Sequence, residues 1–381
     1  MLDNQNQIPL FKIDWDKHEI ANAVESIGRG SYWAKGPYVS EFESKLEEFL
    51  GVEHALVVNS GTTALVAALK ALGIDRGDEV IVPSFTFIAT ANAVRLTGAE
   101  PVFADIEPET YGLDPDEVRS QITEDTAAIL PVHCYGTSCR IEELTEIADT
   151  HEIPLIEDAA EVLGATYRDQ MLGTFGDIAA LSFCQNKIVA TGEGGAVVTN
   201  SDELAAQVRL YRSHGRASSD YFERSDSGQY AELGTNIRMS DLTAALGCAQ
   251  LDRVDSLIGG RRRAANRLHN GFADVDGVDP HKPLDDGTHV YQLYTIELAD
   301  WIDRDVVIET LNERGIASKV YWDPAVHRTD YYTETKAETP ELPVTEVVSS
   351  NVLSLPMHPN LSSEETTRIV EAVTTAVEQC Q

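Results

Sequence analysis

The chain has 381 residues, 63 acidic against 29 basic, a formal net charge of −34 and a hydrophobic fraction of 43%. That length allows two domains with ample cores, and the charge argues against nucleic acid and anionic membranes, each of which would repel it. No window offers eighteen uncharged apolar residues, so no transmembrane helix is expected. The opening MLDNQNQIPLF has no basic n-region and no apolar h-region, and the expected location is the cytoplasm. Five scattered cysteines (Cys134, Cys139, Cys184, Cys248, Cys380) fit neither a disulfide framework nor a zinc spacing; reduced thiols and no metal are expected. Acids spread along the whole chain, with nine lysines against twenty arginines, suggest a halophilic protein from a salt-rich cytoplasm.

Short β-branched runs then alternate with helical patterns: HALVVNS before TTALVAALKALG, DEVIVPS before TFIATANAVRLTG, then EPVFADI, TAAILPVH, IPLIEDAA, IAALSF and AVVTN. Continuous apolar strands separated by helices predict an α/β domain with a mostly parallel sheet flanked by helices. The segment MSDLTAALGCAQLDRVDSLIGGRRRAANRLHNGF reads as a connecting helix interrupted near Gly259-Gly260. Beyond it VYQLYTIEL, DVVIETLNERG, IASKVYW and SSEETTRIVEAVTTAVEQ read as strand, helix, strand, helix, a smaller C-terminal α+β domain. The division expected is 1–255 for the large domain and 256–381 for the small one.

Four places in the large domain could carry chemistry. Asn59-Ser60-Gly61-Thr62-Thr63 turns a strand into a helix, and its backbone N–H groups and dipole would suit a phosphate as well as ordinary capping. No GxGxxG follows a strand and no GxxxxGKS/T is present. Asp158 closes an apolar strand at a carboxyl end, where ligands of open α/β sheets bind; it reads either as a helix cap or as a partner for a cationic ring nitrogen. In SFTFIAT, Phe85 and Phe87 are core aromatics, or one of them is a stacking face for a planar cofactor. Lys187, in SFCQNKIVATGEGG, stands between two apolar strands, where a lone buried ammonium is expensive. A phosphate cradle, a carboxylate, a flat face and a lysine are together the parts that hold pyridoxal 5'-phosphate.

The motifs GPYVSEFESKLEEFLG, NSGTTAL, DEVIVPSFTFIATANA, PVFADI, IEDAAEVLGA, LSFCQNKIVATGEGGAVVTN, RSHG, GTNIRMSDLTAAL and SLPMHP resemble those of the DegT/StrS-type sugar aminotransferases, fold type I enzymes dependent on pyridoxal phosphate. The likeness runs nearly end to end. It implies that Lys187 forms the Schiff base and shuttles the proton, Asp158 pairs with the pyridine nitrogen, and Phe87 stacks on the ring. It further implies that Thr62, Thr63 and Ser182 hold the phosphate, that Glu161 stands on the cofactor's ring side, and that Asn236 or Arg238 reaches in from the partner of a homodimer. Many relatives carry Gln or His in place of Glu161, and a carboxylate beside a phenolate-like oxygen needs protonation or a cationic neighbour. The implied reaction moves an amino group, from L-glutamate in most relatives, to a keto-sugar on a nucleoside diphosphate. A UDP-, GDP- or dTDP-linked 3-keto or 4-keto hexose fits, as does a cyclitol ketone. A sugar dehydratase of the same superfamily would carry histidine in place of Lys187, a non-catalytic regulatory relative would not need the intact Lys187 and Asp158, and a cysteine desulfurase would carry a loop cysteine that is absent here.

Overall fold

A computed structural model describes residues 7–217, 228–335 and 339–381. Parallel strands β1 (His54–Val58), β2 (Glu79–Pro83), β3 (Glu100–Ala104), β4 (Thr126–Ile129), β5 (Ile156–Asp158) and, past a β6–β7 hairpin (Thr166–Tyr167, Gln170–Met171), β8 (Ile178–Ser182) build the main sheet. Strand β9 (Gly195–Thr199) runs antiparallel between β1 and β8. Hydrogen bonding orders the strands β1-β9-β8-β5 and β3-β2-β4. Parallel bridges Ile129–Leu155 and Val132–Asp158 join the two runs into one sheet.

Successive side chains of a strand face opposite ways. Ala55 and Val57 therefore enter the core under Phe42, Leu46 and Leu181, while Leu56 and Val58 enter the one under Leu65, Leu69 and Val94. Helices cover both faces, which is why the strands read as unbroken apolar runs. The mostly parallel α/β architecture expected from the sequence is what the chain adopts.

The connecting region departs from expectation. Its break falls at Asp252-Arg253, between helices Asp241–Leu251 and Val254–Phe272, and Gly259-Gly260 lies inside the second helix. A Cβ on Gly260 would come within 2.6 Å of the Pro359 carbonyl oxygen, so this glycine permits close packing and does not break the helix. That helix straddles two cores: Val254, Leu257 and Ile258 pack in the cluster of Phe42 and Leu181, and Ala264, Leu268 and Phe272 in the C-terminal cluster.

The C-terminal sheet is β10 (Val278–Pro280), β11 (Tyr294–Leu298) and β12 (Val352–Leu355), all antiparallel. The segment IASKVYW, expected as a strand, makes only isolated bridges at Ile316 and Lys319. Its backbone is divided between two partners, Ile8 on one side and Ser354 on the other, so no continuous ladder forms. Ile8, far upstream in sequence, thereby packs in the C-terminal core.

Candidate active site

The carboxyl ends of β1, β5 and β8 open onto a cavity of about 540 Å³ lined by Ser60, Gly61, Thr62, Phe87, Asp158, Glu161, Ser182 and Lys187 together with Tyr321 and Trp322. Ser60, Phe87, Asp158 and Ser182 meet here because the strands before them end on one edge, and Phe11, Tyr321 and Trp322 join from outside the sheet.

Lys187 follows β8 on a turn in which its N–H bonds the Cys184 carbonyl at 2.9 Å. The chain then folds back, Thr191 N–H bonding the Phe183 carbonyl at 2.9 Å and Phe183 N–H the Gly194 carbonyl at 2.8 Å. From the C-terminal side, buried Gln292 donates through Nε2 to the Asn186 carbonyl at 2.8 Å, fixing the residue before the lysine. Lys187 Nζ reaches Glu161 Oε1 at 3.0 Å. The cationic neighbour that a carboxylate at position 161 needs is thus the lysine itself.

Asp158 is 6% exposed and ends β5 at the floor of the cavity. Oδ2 accepts from Thr90 Oγ1 at 2.8 Å and Oδ1 from Ala160 N–H at 3.3 Å. Thr90 is in turn linked to Thr86 through their hydroxyls at 2.9 Å. Burial raises the Asp158 carboxyl above its usual value, against the lowering influence of Thr90, Ala160 and Lys187, and Glu161 adds to the rise. A buried carboxylate in this state is stabilised by a proton-bearing cationic partner, the role a pyridinium fills.

Phe85 and Phe87 take opposite fates. Phe85 is fully buried among Tyr111, Tyr135 and Trp322, whereas Phe87 is 58% exposed on the cavity wall. A large exposed ring inside a concave site is a face available for a planar ligand.

The phosphate end is backbone held close to backbone. Ser60 caps helix Gly61–Ala71, its hydroxyl accepting from Thr63 N–H at 3.2 Å. A Cβ on Gly61 would sit 2.8 Å from Ser182 Cβ, and one on Gly195 only 2.5 Å from the Ser60 carbonyl oxygen. These glycines keep the helix N-terminus and β8 close enough for Thr62 and Ser182 to line the same space.

Thr63, expected beside them, does not line the cavity. Its hydroxyl bonds Asn59 Oδ1 at 2.7 Å and the Ser60 carbonyl at 2.9 Å, completing the helix cap. Asn236 and Arg238 are also outside this chain's cavity. Arg238 lines a separate hollow of about 470 Å³ with Lys35, Arg209, Arg212, Arg216 and the single acid Glu43. Burial, then Arg216 and Arg212, lowers the Arg238 guanidinium from its ordinary value.

Sequence reading passed over Thr86 and Thr90, which lay in view within SFTFIAT but without a pattern separating them from capping residues. Phe11, Tyr321 and Trp322 carried no local signal. Among the described residues no group of three His, Cys, Asp or Glu side chains could hold a metal, and no helix is long and apolar enough to cross a membrane.

The sequence profile of the DegT/DnrJ/EryC1/StrS aminotransferase family matches residues 14–374. The chain belongs to this family. It is 40% identical over 342 residues to the GDP-perosamine synthase of Caulobacter vibrioides, covering 89% of this chain and 90% of that one. In three dimensions it resembles DesV of S. venezuelae at a TM-score of 0.91 and 34% identity, covering 98% and 99% of the two chains. A Streptococcus pneumoniae protein solved in a PLP form gives a TM-score of 0.92 at 28% identity, covering 98% of this chain and all of the other. Aminotransferases of this family depend on pyridoxal phosphate, and the fold is that of fold type I.

Proposed function

We propose that the chain is a pyridoxal-phosphate-dependent aminotransferase that passes an amino group from L-glutamate to a nucleotide-linked keto-sugar, in the cytoplasm, as a homodimer. The observation that carries this reading is the convergence of Lys187, buried Asp158 and exposed Phe87 on one cavity closed by a glycine-spaced helix N-terminus. The name of the GDP-perosamine synthase from Caulobacter vibrioides supports a nucleotide sugar as acceptor.

Each residue then has a task. Gly61, Thr62 and Ser182 would hold the cofactor's phosphate, Phe87 its ring face and Asp158 its ring nitrogen. When bound, the cofactor supplies an aldehyde for amino-group exchange and a ring that takes up an electron pair. Lys187 would carry the proton on its Nζ, from the position Gln292 and the β8 turn give it. Asp158, kept from water and bonded by Thr90, would meet a ring nitrogen without reorganising.

The homodimer reading rests on charge and on apolar surface. Among the described residues the cavity lining has Asp158, Glu161 and Glu193 against Lys187 as its one cation, although a phosphate and a nucleoside diphosphate are both anionic. The arginine-lined hollow that includes Arg238 offers the missing cations from a second copy. On helix Lys17–Gly28, Ile20, Val24 and Ile27 are 53%, 63% and 54% exposed at helical spacing, a stripe suited to burial against a partner.

The test is to load the purified protein with pyridoxal 5'-phosphate, add L-glutamate and a panel of nucleotide keto-sugars, and search for amino-sugar by mass. Lys187→Ala should bind no cofactor covalently and yield no product while keeping its fold. Amino-sugar formed at an undiminished rate by that variant would overturn the reading.

A further inference from the structure

The two oxygens of Glu161 are used differently. Oε2 accepts the backbone N–H of Tyr135 at 2.9 Å, and Oε1 accepts from Lys187 Nζ at 3.0 Å. Tyr135 has φ of 60° and Gly136 φ of 117°, and a tyrosine in the left-handed region persists only where its surroundings hold it. The surroundings do so: its ring stacks on Trp322 with centroids 5.5 Å apart, and its hydroxyl donates to the Tyr321 carbonyl. The Tyr135 N–H is therefore a fixed anchor that turns the other Glu161 oxygen toward Nζ.

Asp158, Cys134 and Tyr321 face the same carboxyl. Asp158 is engaged by Thr90 and Ala160, and the Cys134 thiol donates to the Tyr111 carbonyl at 3.4 Å. Glu161 is the carboxylate in hydrogen-bond contact with the reacting nitrogen.

We propose that Glu161 is a catalytic residue, the acceptor that takes a proton from the Lys187 ammonium when the amine must act and returns it afterwards. The proposal rests on the reading of Lys187 as the lysine of a pyridoxal-phosphate aminotransferase. Lys187–NH₃⁺ and Glu161–COO⁻ become Lys187–NH₂ and Glu161–COOH. One N–H bond breaks, one O–H bond forms, the electron pair stays on nitrogen as its lone pair, and nothing is oxidised or reduced. The pair has no net charge before or after, so the exchange leaves no isolated ion at side chains that are only 13% and 11% exposed. A glutamine at this position would keep the anchor to Tyr135 but could not take the proton.

The test uses full-length protein loaded with pyridoxamine 5'-phosphate, the state in which Lys187 is free to carry an ammonium, mixed rapidly with 2-oxoglutarate. Cofactor absorbance is followed through this half-reaction from mildly acidic to alkaline pH; a second portion loaded with pyridoxal 5'-phosphate serves for borohydride trapping. Glu161→Gln should slow this phase at neutral pH by about 10²-fold, the scale of losing one proton-transfer group. The rate should recover as pH rises and solvent takes the proton instead. Glu161→Asp should restore part of the neutral-pH rate. Borohydride trapping of the cofactor on Lys187, read by mass, should be equal in all three proteins. A wild-type rate in Glu161→Gln at every pH overturns the assignment, and so does a loss that is the same at every pH, which would leave Glu161 a positioning residue. Wild-type protein that traps no cofactor on Lys187 overturns the aminotransferase reading itself, and the role of Glu161 with it.

Discussion

Thr90 Oγ1 donates to Asp158 Oδ2 at 2.8 Å across the floor of the cavity, so the carboxylate that ends β5 is oriented by the helix that follows β2. This contact joins two crossovers of the sheet at the point where a ring nitrogen would lie. It leads to the first prediction. Asp158→Asn should retain covalently trapped cofactor yet lose activity by about 10² or more, the scale of removing a preorganised electrostatic partner. Thr90→Val, which leaves the charge but frees its orientation, should lose less. Full activity in Asp158→Asn would leave Asp158 no more than the residue that holds the turn at Ala160.

The arginine-lined hollow leads to the second. Take Lys187→Ala in one chain and the double change Asn236→Asp, Arg238→Ala in the other, each inactive as a homodimer. If Asn236 and Arg238 act across the interface, a hybrid has one site with both defects and one with neither, and should regain up to about half the wild-type activity per dimer. If they act within their own chain, remixing restores nothing. Activity after mixing, against each homodimer alone, decides between them.

Charge leads to the third. At −34, self-repulsion opposes the compact state, and salt screens it. The melting temperature of the cofactor-free chain should keep rising as salt is taken into the molar range. A flat or falling curve there would remove the salt-rich origin.

Histidines lead to the fourth. His281 and His358 are buried, and burial lowers both to about 4; burial likewise holds His289 well below the usual histidine value. All three are neutral in the folded chain, while in the unfolded chain they take up protons near pH 6.5. Stability is therefore full above about pH 6.5 and is lost as pH falls toward 4, by about 1.4 kcal/mol per pH unit for each group. Urea midpoints from neutral to mildly acid pH should fall, and His281→Phe should make the fall shallower by one proton. Equal slopes in the two proteins would show that His281 is not among the groups responsible.

What the sequence determined by itself is what repeats locally or is held by a contiguous motif. Apolar runs such as DEVIVP and IAALS are strands because two-sided burial leaves no polar alternation, and the lysine ahead of GEGG needs only its own neighbours to be recognised. What only the tertiary structure decided depends on direction and on distant partners. Phe85 turns into the aromatic core while Phe87 faces the cavity, two residues away. Thr63 turns back on Asn59 while Thr62 lines the site. Gly259-Gly260 looked like a helix break because glycine weakens helices, but packing against Pro359 outweighs that weakness. Phe11, whose neighbour Leu10 accepts the Met357 N–H, lines the cavity together with Tyr321 and Trp322, residues far from it in sequence. Side-chain direction and long-range contact come from packing the whole chain at once, and no short stretch of it contains that information.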